Sequence, residues 1–125
     1  MTLRYLVVDD SKLARMLIGK LLSELRPTWT QVEASSADQA LAIIKSEKLE
    51  VVLLDVNMPG RSGLDVADYL QESLPNIPVA IVSANHQEGI VARAEGAGAF
   101  FLSKPVTKDA LETFLGDVHK RLFKV

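Results

Sequence analysis

The chain has 125 residues, 48% of them apolar, which is enough for one well-filled core at the usual size of a single domain. Its 14 basic and 16 acidic residues leave a net charge of -2, so there is no broad electrostatic reason to bind nucleic acid or an anionic membrane. Cysteine is absent, which excludes a disulfide framework, a thiolate metal site and a cysteine nucleophile, and fits a reducing compartment. The apolar run after Met1-Thr2-Leu3-Arg4 is too short for a signal sequence or a membrane span, so a soluble cytoplasmic protein is expected.

The first apolar run, Tyr5 to Val8, ends at Asp9-Asp10, and a helix follows with Leu13, Met16, Leu17, Leu21 and Leu25 at helical spacing and Lys12, Arg15, Lys20 and Glu24 on other faces. A second strand is expected over Gln31 to Ala34. Ser36-Ala37-Asp38-Gln39 then has the spacing of a capping box, with Ala40, Leu41, Ile43 and Ile44 as the apolar stripe of helix 2. The third run, Val51 to Leu54, ends at Asp55. After the loop Pro59 to Gly63, helix 3 spans Leu64 to Ser73 with Leu64, Ala67 and Leu70 inward. Strand 4, Val79 to Val82, ends at Ser83. The weakest helix, His86 to Glu95, has only Ile90 and Val91 as aliphatic anchors and is expected to pack lightly. Strand 5, Ala99 to Leu102, leads to Ser103-Lys104-Pro105, and Thr107 caps a last helix filled by Leu111, Phe114, Leu115, Val118 and Leu122.

Four of the five runs are continuous rather than alternating, as in strands buried on both faces, and their alternation with helices means βαβ units. The expected fold is an α/β parallel sheet with right-handed crossovers and helices on both faces. In such sheets the ligand site lies at the carboxyl ends of the strands, where Asp9, Asp10, Asp55, Ser83 and Lys104 all fall.

Taken alone, Asp9-Asp10 reads equally well as an N-cap with favourable charge at the start of helix 1. Asp55 has no nearby helix to cap. Three carboxylates within ~4 Å of one another repel by about 4 kcal/mol per pair at an effective dielectric near 20, so the cluster calls for a cation or raised pKa values. With only oxygen donors on offer, Mg²⁺ is preferred over Zn²⁺. A serine after a strand is ordinarily a turn residue and a lysine a solvated charge. Together with a carboxylate nucleophile and a metal-holding pair, however, Ser83 and Lys104 make a site for phosphoryl chemistry, since carboxylates attack phosphorus to give aspartyl phosphates.

Val7-Val8-Asp9-Asp10-Ser11, Leu54-Asp55-Val56-Asn57-Met58-Pro59-Gly60, Val82-Ser83-Ala84 and Ser103-Lys104-Pro105 together resemble the receiver domains of bacterial two-component response regulators, in the right order and across nearly the whole chain. The resemblance implies a flavodoxin-like five-stranded sheet of order 2-1-3-4-5 with five helices. It further implies phosphorylation of Asp55 by a histidine kinase or histidine phosphotransfer protein. Mg²⁺ would be held directly by Asp10, Asp55 and the backbone carbonyl of Asn57, with Asp9 acting through water. Ser83 would bond the phosphoryl group, Lys104 would pair with it, and Phe101, three positions before the lysine, would be the switch aromatic, acting by packing alone because it lacks a hydroxyl. Asn57 and Asn85 would flank the path of attacking water. The expected output face is helix 4, strand 5 and helix 5, and the resemblance allows a phosphorylation-dependent dimer.

On this reading residues 1–125 form a single receiver with no effector domain, and output is a contact with a downstream protein or onward phosphotransfer, with no direct DNA binding and no membrane. The only catalysis expected is of the domain's own phosphorylation and dephosphorylation. A small phosphatase or nucleotide-binding enzyme is disfavoured because no glycine-rich phosphate loop follows any strand, and a degenerate scaffold because no site residue is missing. The segment Gly96-Ala97-Gly98-Ala99-Phe100-Phe101 is about one residue longer before Lys104 than the usual receiver pattern, so the helix 4 to strand 5 loop is expected to differ. His86 and His119 read as solvated side chains, Trp29 as packing at the sheet edge, and Lys108, Lys120, Arg121 and Lys124 as an exposed charged face.

Overall fold

In the computed structural model of the chain, which describes residues 3–84 and 88–123, five strands and five helices alternate. The strands are β1 (Arg4–Val8), β2 (Thr30–Ala34), β3 (Val51–Asp55), β4 (Val79–Ser83) and β5 (Phe100–Ser103). The helices are α1 (Lys12–Leu25), α2 (Ala37–Ser46), α3 (Gly63–Ser73), α4 (Glu88–Gly96) and α5 (Lys108–Phe123). All strand pairs are parallel, in the order β2-β1-β3-β4-β5. This is the sheet order that the resemblance to receiver domains implies.

Successive side chains of a strand point to opposite faces, and the sheet fills both. Leu6, Val8, Val52, Leu54 and Ile81 pack against α2, α3 and α4 through Ala40, Ile44, Val66, Leu70 and Ala94. Tyr5, Val7, Val51, Leu53, Ala80, Val82 and Leu102 pack against α1 and α5 through Ile18, Leu22, Leu111, Phe114 and Val118. Two cores divided by a buried sheet explain why the central strands read as unbroken apolar runs.

Helix 1 departs from the sequence expectation. Leu13, Met16 and Leu17 are 65%, 58% and 55% exposed, while the buried residues of α1 are Ile18 and Leu22, with Leu21 and Leu25 partly covered. Apolar residues occupy two adjoining stripes of this helix, so periodicity alone does not choose between them. The choice is made by anchoring: Ser11 caps the helix by accepting from the Ala14 amide, and Arg15, Ile18 and Leu22 lie on the stripe facing the sheet.

The other helices follow their sequence signals with small shifts. Ser36 Oγ accepts from the Gln39 amide, but the Gln39 side chain reaches past the cap residue to accept from the backbone and hydroxyl of Ser35. Helix 3 begins one residue earlier than expected, at Gly63, with a full capping box of Ser62 and Asp65. Helix 4 runs from Glu88; His86 and Asn85 lie outside the described residues. Among its described side chains only Ala94 is fully buried, and Ile90 and Val91 are half-buried. The turn after it uses Gly98 at φ +71°, with the Ala99 amide bonded to the Ala94 carbonyl, and β5 accordingly starts at Phe100 rather than Ala99. Thr107 Oγ1 accepts from the Ala110 amide at the head of α5. Trp29 is half-buried, its ring tilted against Tyr5 with the Arg26 guanidinium 6.0 Å from its centroid, and His119 is exposed against Phe123. No helix among the described residues is long and apolar enough to cross a membrane.

Candidate functional site

Strand register brings the site together. Val8 lies opposite Leu54, Asp55 opposite Val82, and Ser83 opposite Ser103, so Asp9 and Asp55 emerge on one level, Ser83 one step beyond it and Lys104 two. Carboxylate oxygens of Asp9, Asp10 and Asp55 all lie within 4.8 Å of one another. Asp9 and Asp55 are buried, at 2% and 5% exposure, and Asp10 is exposed at the lip. Ser83 is buried at the end of β4. The Asn57 side chain is exposed.

The N-cap alternative for the acidic pair is resolved by its bonds. Ser11, not an aspartate, caps α1, and Asp9 Oδ1 accepts from the Ser11 amide in the turn just before the helix. Asp9 is tied down elsewhere as well: its amide donates to the Ala34 carbonyl, and its own carbonyl accepts from Arg15 Nη1 at 2.6 Å. Its other carboxylate oxygen faces the site.

Lys104 bridges the two buried carboxylates, with Nζ 3.1 Å from Asp9 Oδ2 and 3.0 Å from Asp55 Oδ1. Its amide donates to the Ser83 carbonyl, which fixes the start of the β5–α5 loop against β4, and the Lys104–Pro105 peptide is cis. Burial pushes the Asp55 carboxyl above its ordinary value, and the charges of Asp9 and Asp10 add to the rise, which outweighs the hydrogen bond from Lys104. For Lys104 itself burial acts downward, but hydrogen bonds to Asp55 and Asp9 win and hold the ammonium above its ordinary range. Each carboxylate added to the cluster thus raises the need for a positive charge, and one ammonium does not fully meet it.

The donor set fits a hard divalent cation. It offers carboxylate oxygens from two strand ends, within a span that one ion bridges, and no nitrogen or sulfur ligand. Asp10 and Asp55 would hold Mg²⁺ together with the nearby backbone, and Asp9 stands close enough to act through a water.

Three supporting residues lie outside the sequence-derived set. Ser62 accepts from the Leu64 amide and donates to the Val56 carbonyl, tying the head of α3 to the residue after Asp55. Gly63 lies so close to Asp55 that a Cβ there would sit 2.0 Å from the Asp55 carbonyl oxygen. Arg15 is the third. The Ser62-x-x-Asp65 spacing was a readable signal for the first, while the other two are set by tertiary approach and leave no mark in the pattern.

Phe101 is half-buried on the α4 side of the sheet, whereas Phe100 lies on the α5 side, 5.4 Å from the Phe114 ring. The aromatic expected to switch therefore borders the helix expected to pack lightly. Beside the site, α1 and the β5–α5 loop enclose an open cleft of about 790 Å³, with Leu17, Ile18 and Leu21 on one wall, Pro105 and Val106 on the other, and Lys104 at the edge.

Comparison with known proteins agrees with this arrangement. Residues 5–115 match the response regulator receiver domain family. The chain is 34% identical over 123 residues to the glycerol metabolism activator of Pseudomonas putida, covering 93% of this chain and 56% of that protein. It is 31% identical over 123 residues to the chemotaxis protein CheY-3 of Vibrio cholerae, covering 96% and 94%. Among solved structures, the response regulator TrrA of Thermotoga maritima, in complex with Mg²⁺-BeF, superposes with a TM-score of 0.81 at 26% identity, over 92% of this chain and 97% of that one. The chain spans about half the length of several curated relatives it matches, the Pseudomonas activator among them. A sheet of order 2-1-3-4-5, an acidic cluster at its carboxyl edge and sequence similarity over almost the whole length converge on one assignment: the chain belongs to the response regulator receiver domain family.

Proposed function

We propose that this receiver accepts a phosphoryl group on Asp55 from a phosphohistidine donor, in a Mg²⁺-dependent reaction, and signals by changing its affinity for a protein. The observation that carries the reading is the Lys104 ammonium held between Asp9 and Asp55 beside a third carboxylate, an arrangement built to manage more charge than it holds at rest.

The ionised Asp55 oxygen attacks phosphorus, the bond from phosphorus to the donor imidazole nitrogen breaks, and the electron pair leaves with the imidazole. Bound Mg²⁺ supplies charge neutralisation at the phosphoryl oxygens. Lys104 already touches the attacking carboxylate and supports its ionised form; as the phosphoryl group forms, the ammonium pairs with its oxygens. Ser83, buried at the next strand end, bonds a phosphoryl oxygen and draws the loop after β4 with it. Phe101, bordering α4, turns inward as that loop moves, and the α4–β5–α5 face changes shape. The domain catalyses only its own phosphorylation and dephosphorylation. Leu13, Met16 and Leu17, exposed on the helix that walls the site, favour this side for the approach of the donor protein.

Beryllofluoride with Mg²⁺ tests the reading, because it mimics the phosphoryl group without a donor. Amide resonances of β5 and of the faces of α4 and α5 are expected to shift together on its addition, and not on addition of Mg²⁺ with fluoride alone. Shifts confined to Asp9, Asp10 and Asp55 would contradict the proposed output face.

A further inference from the structure

Resting on the metal-dependent reading above, we infer that Arg15 is a positioning residue for the cation site, held in place by Glu33 and acting through the Asp9 carbonyl. Arg15 is on α1, yet its side chain is only 14% exposed because it turns back toward the sheet. Its Nε donates to Glu33 Oε1 at 2.8 Å, and its Nη1 donates to the Asp9 carbonyl oxygen at 2.6 Å. The planar guanidinium thus spans the end of β2 and the end of β1 as a fork. Gln31, also on β2, donates to the Arg15 carbonyl and accepts from the Tyr5 hydroxyl, so the helix carrying the fork is itself pinned to the sheet.

The role follows from how the two aspartates are held. Asp9 is fixed through its amide, both carboxylate oxygens and its carbonyl. Asp10 is exposed, so the direction of its carboxylate depends on the peptide between Asp9 and Asp10. The oxygen of that peptide is the one Arg15 holds. Fixing it aims Asp10 at Asp55, and removing the fork lets the peptide rotate and the metal ligand swing away. Groups that orient metal ligands without touching the ion commonly change affinity about 10–100-fold when lost.

Arg15 is a cation beside a cation site, so as a mere charge its removal should tighten metal binding. As a positioning group its removal should weaken it. Calorimetric titration of the metal-free chain with Mg²⁺, for wild type, Arg15→Ala and Arg15→Lys, reads the difference without reference to phosphorylation. The expected result is a dissociation constant raised on the order of ten-fold in Arg15→Ala, by the lower end of that range. Arg15→Lys, which keeps the charge but not the fork, is expected to show a smaller rise and serves also if the alanine variant does not fold. Unchanged or tighter binding in both folded variants, even with a lowered unfolding temperature, would overturn the inference and leave the metal site standing. Absence of saturable Mg²⁺ binding by wild type would overturn the metal-dependent reading and this inference with it.

Discussion

Asp55 is under tension that its neighbours create. It is buried beside two other carboxylates, and the single hydrogen-bonded ammonium does not offset the rise in its pKa. A carboxyl whose folded-state pKa is raised favours the folded state while protonated, and that contribution disappears as pH rises through the folded value. Asp55→Asn, which imitates the protonated form, should therefore be more stable than wild type at neutral pH without metal, by about 1 kcal/mol. Urea unfolding in chelator across a pH series checks this: the gap should close toward acid, below the ordinary carboxylate value, and open as pH rises. At this scale the sequence was informative about which residues meet, because a polar residue ending a wholly apolar strand is conspicuous. It did not show that Lys104 divides its ammonium between Asp9 and Asp55, since that depends on how far each side chain reaches once the strands are aligned.

The elements show where pattern stops being sufficient. Helix 1 carries two apolar stripes, and of the residues that spacing selects Leu13, Met16 and Leu17 face solvent while Leu21 and Leu25 are partly covered. The sheet takes the stripe of Ile18 and Leu22 because the Ser11 cap and the Arg15 fork set the rotation of the helix. Leu22→Ala is then expected to cost about 2–5 kcal/mol of stability by denaturant unfolding, as for a core leucine, and Leu17→Ser to stay within about 0.5 kcal/mol. The β3–α3 loop makes a similar point. Gly63 reads as loop punctuation, but its lack of a side chain is what lets α3 begin against the Asp55 carbonyl. A methyl group there meets the Asp55 carbonyl and the Leu54 Cβ, so Gly63→Ala should destabilise by about 1–3 kcal/mol and weaken Mg²⁺ binding in the same titration. By contrast the caps at Ser36, Thr107 and the Ser62–Asp65 box are all legible in the residue types.

Across the whole molecule, continuous apolar strands separated by amphipathic helices leave few arrangements: a parallel sheet with right-handed crossovers, covered on both faces. The order β2-β1-β3-β4-β5 then places the ends of β1 and β3 side by side, and Asp9 and Asp55 meet as a consequence of topology. One face is covered by α1 and α5 and the other by α2, α3 and α4, so α4 and α5 pack on separate cores. The central claim is that this edge is a phosphoryl acceptor with Asp55 as its nucleophile. Intact-mass analysis after treatment with acetyl phosphate and Mg²⁺ tests it most directly. Wild type is expected to gain the mass of one phosphoryl group, and to lose that gain when Mg²⁺ is replaced by chelator, while Asp55→Asn stays unmodified. An equal gain in wild type and Asp55→Asn, or none in either, would contradict the account.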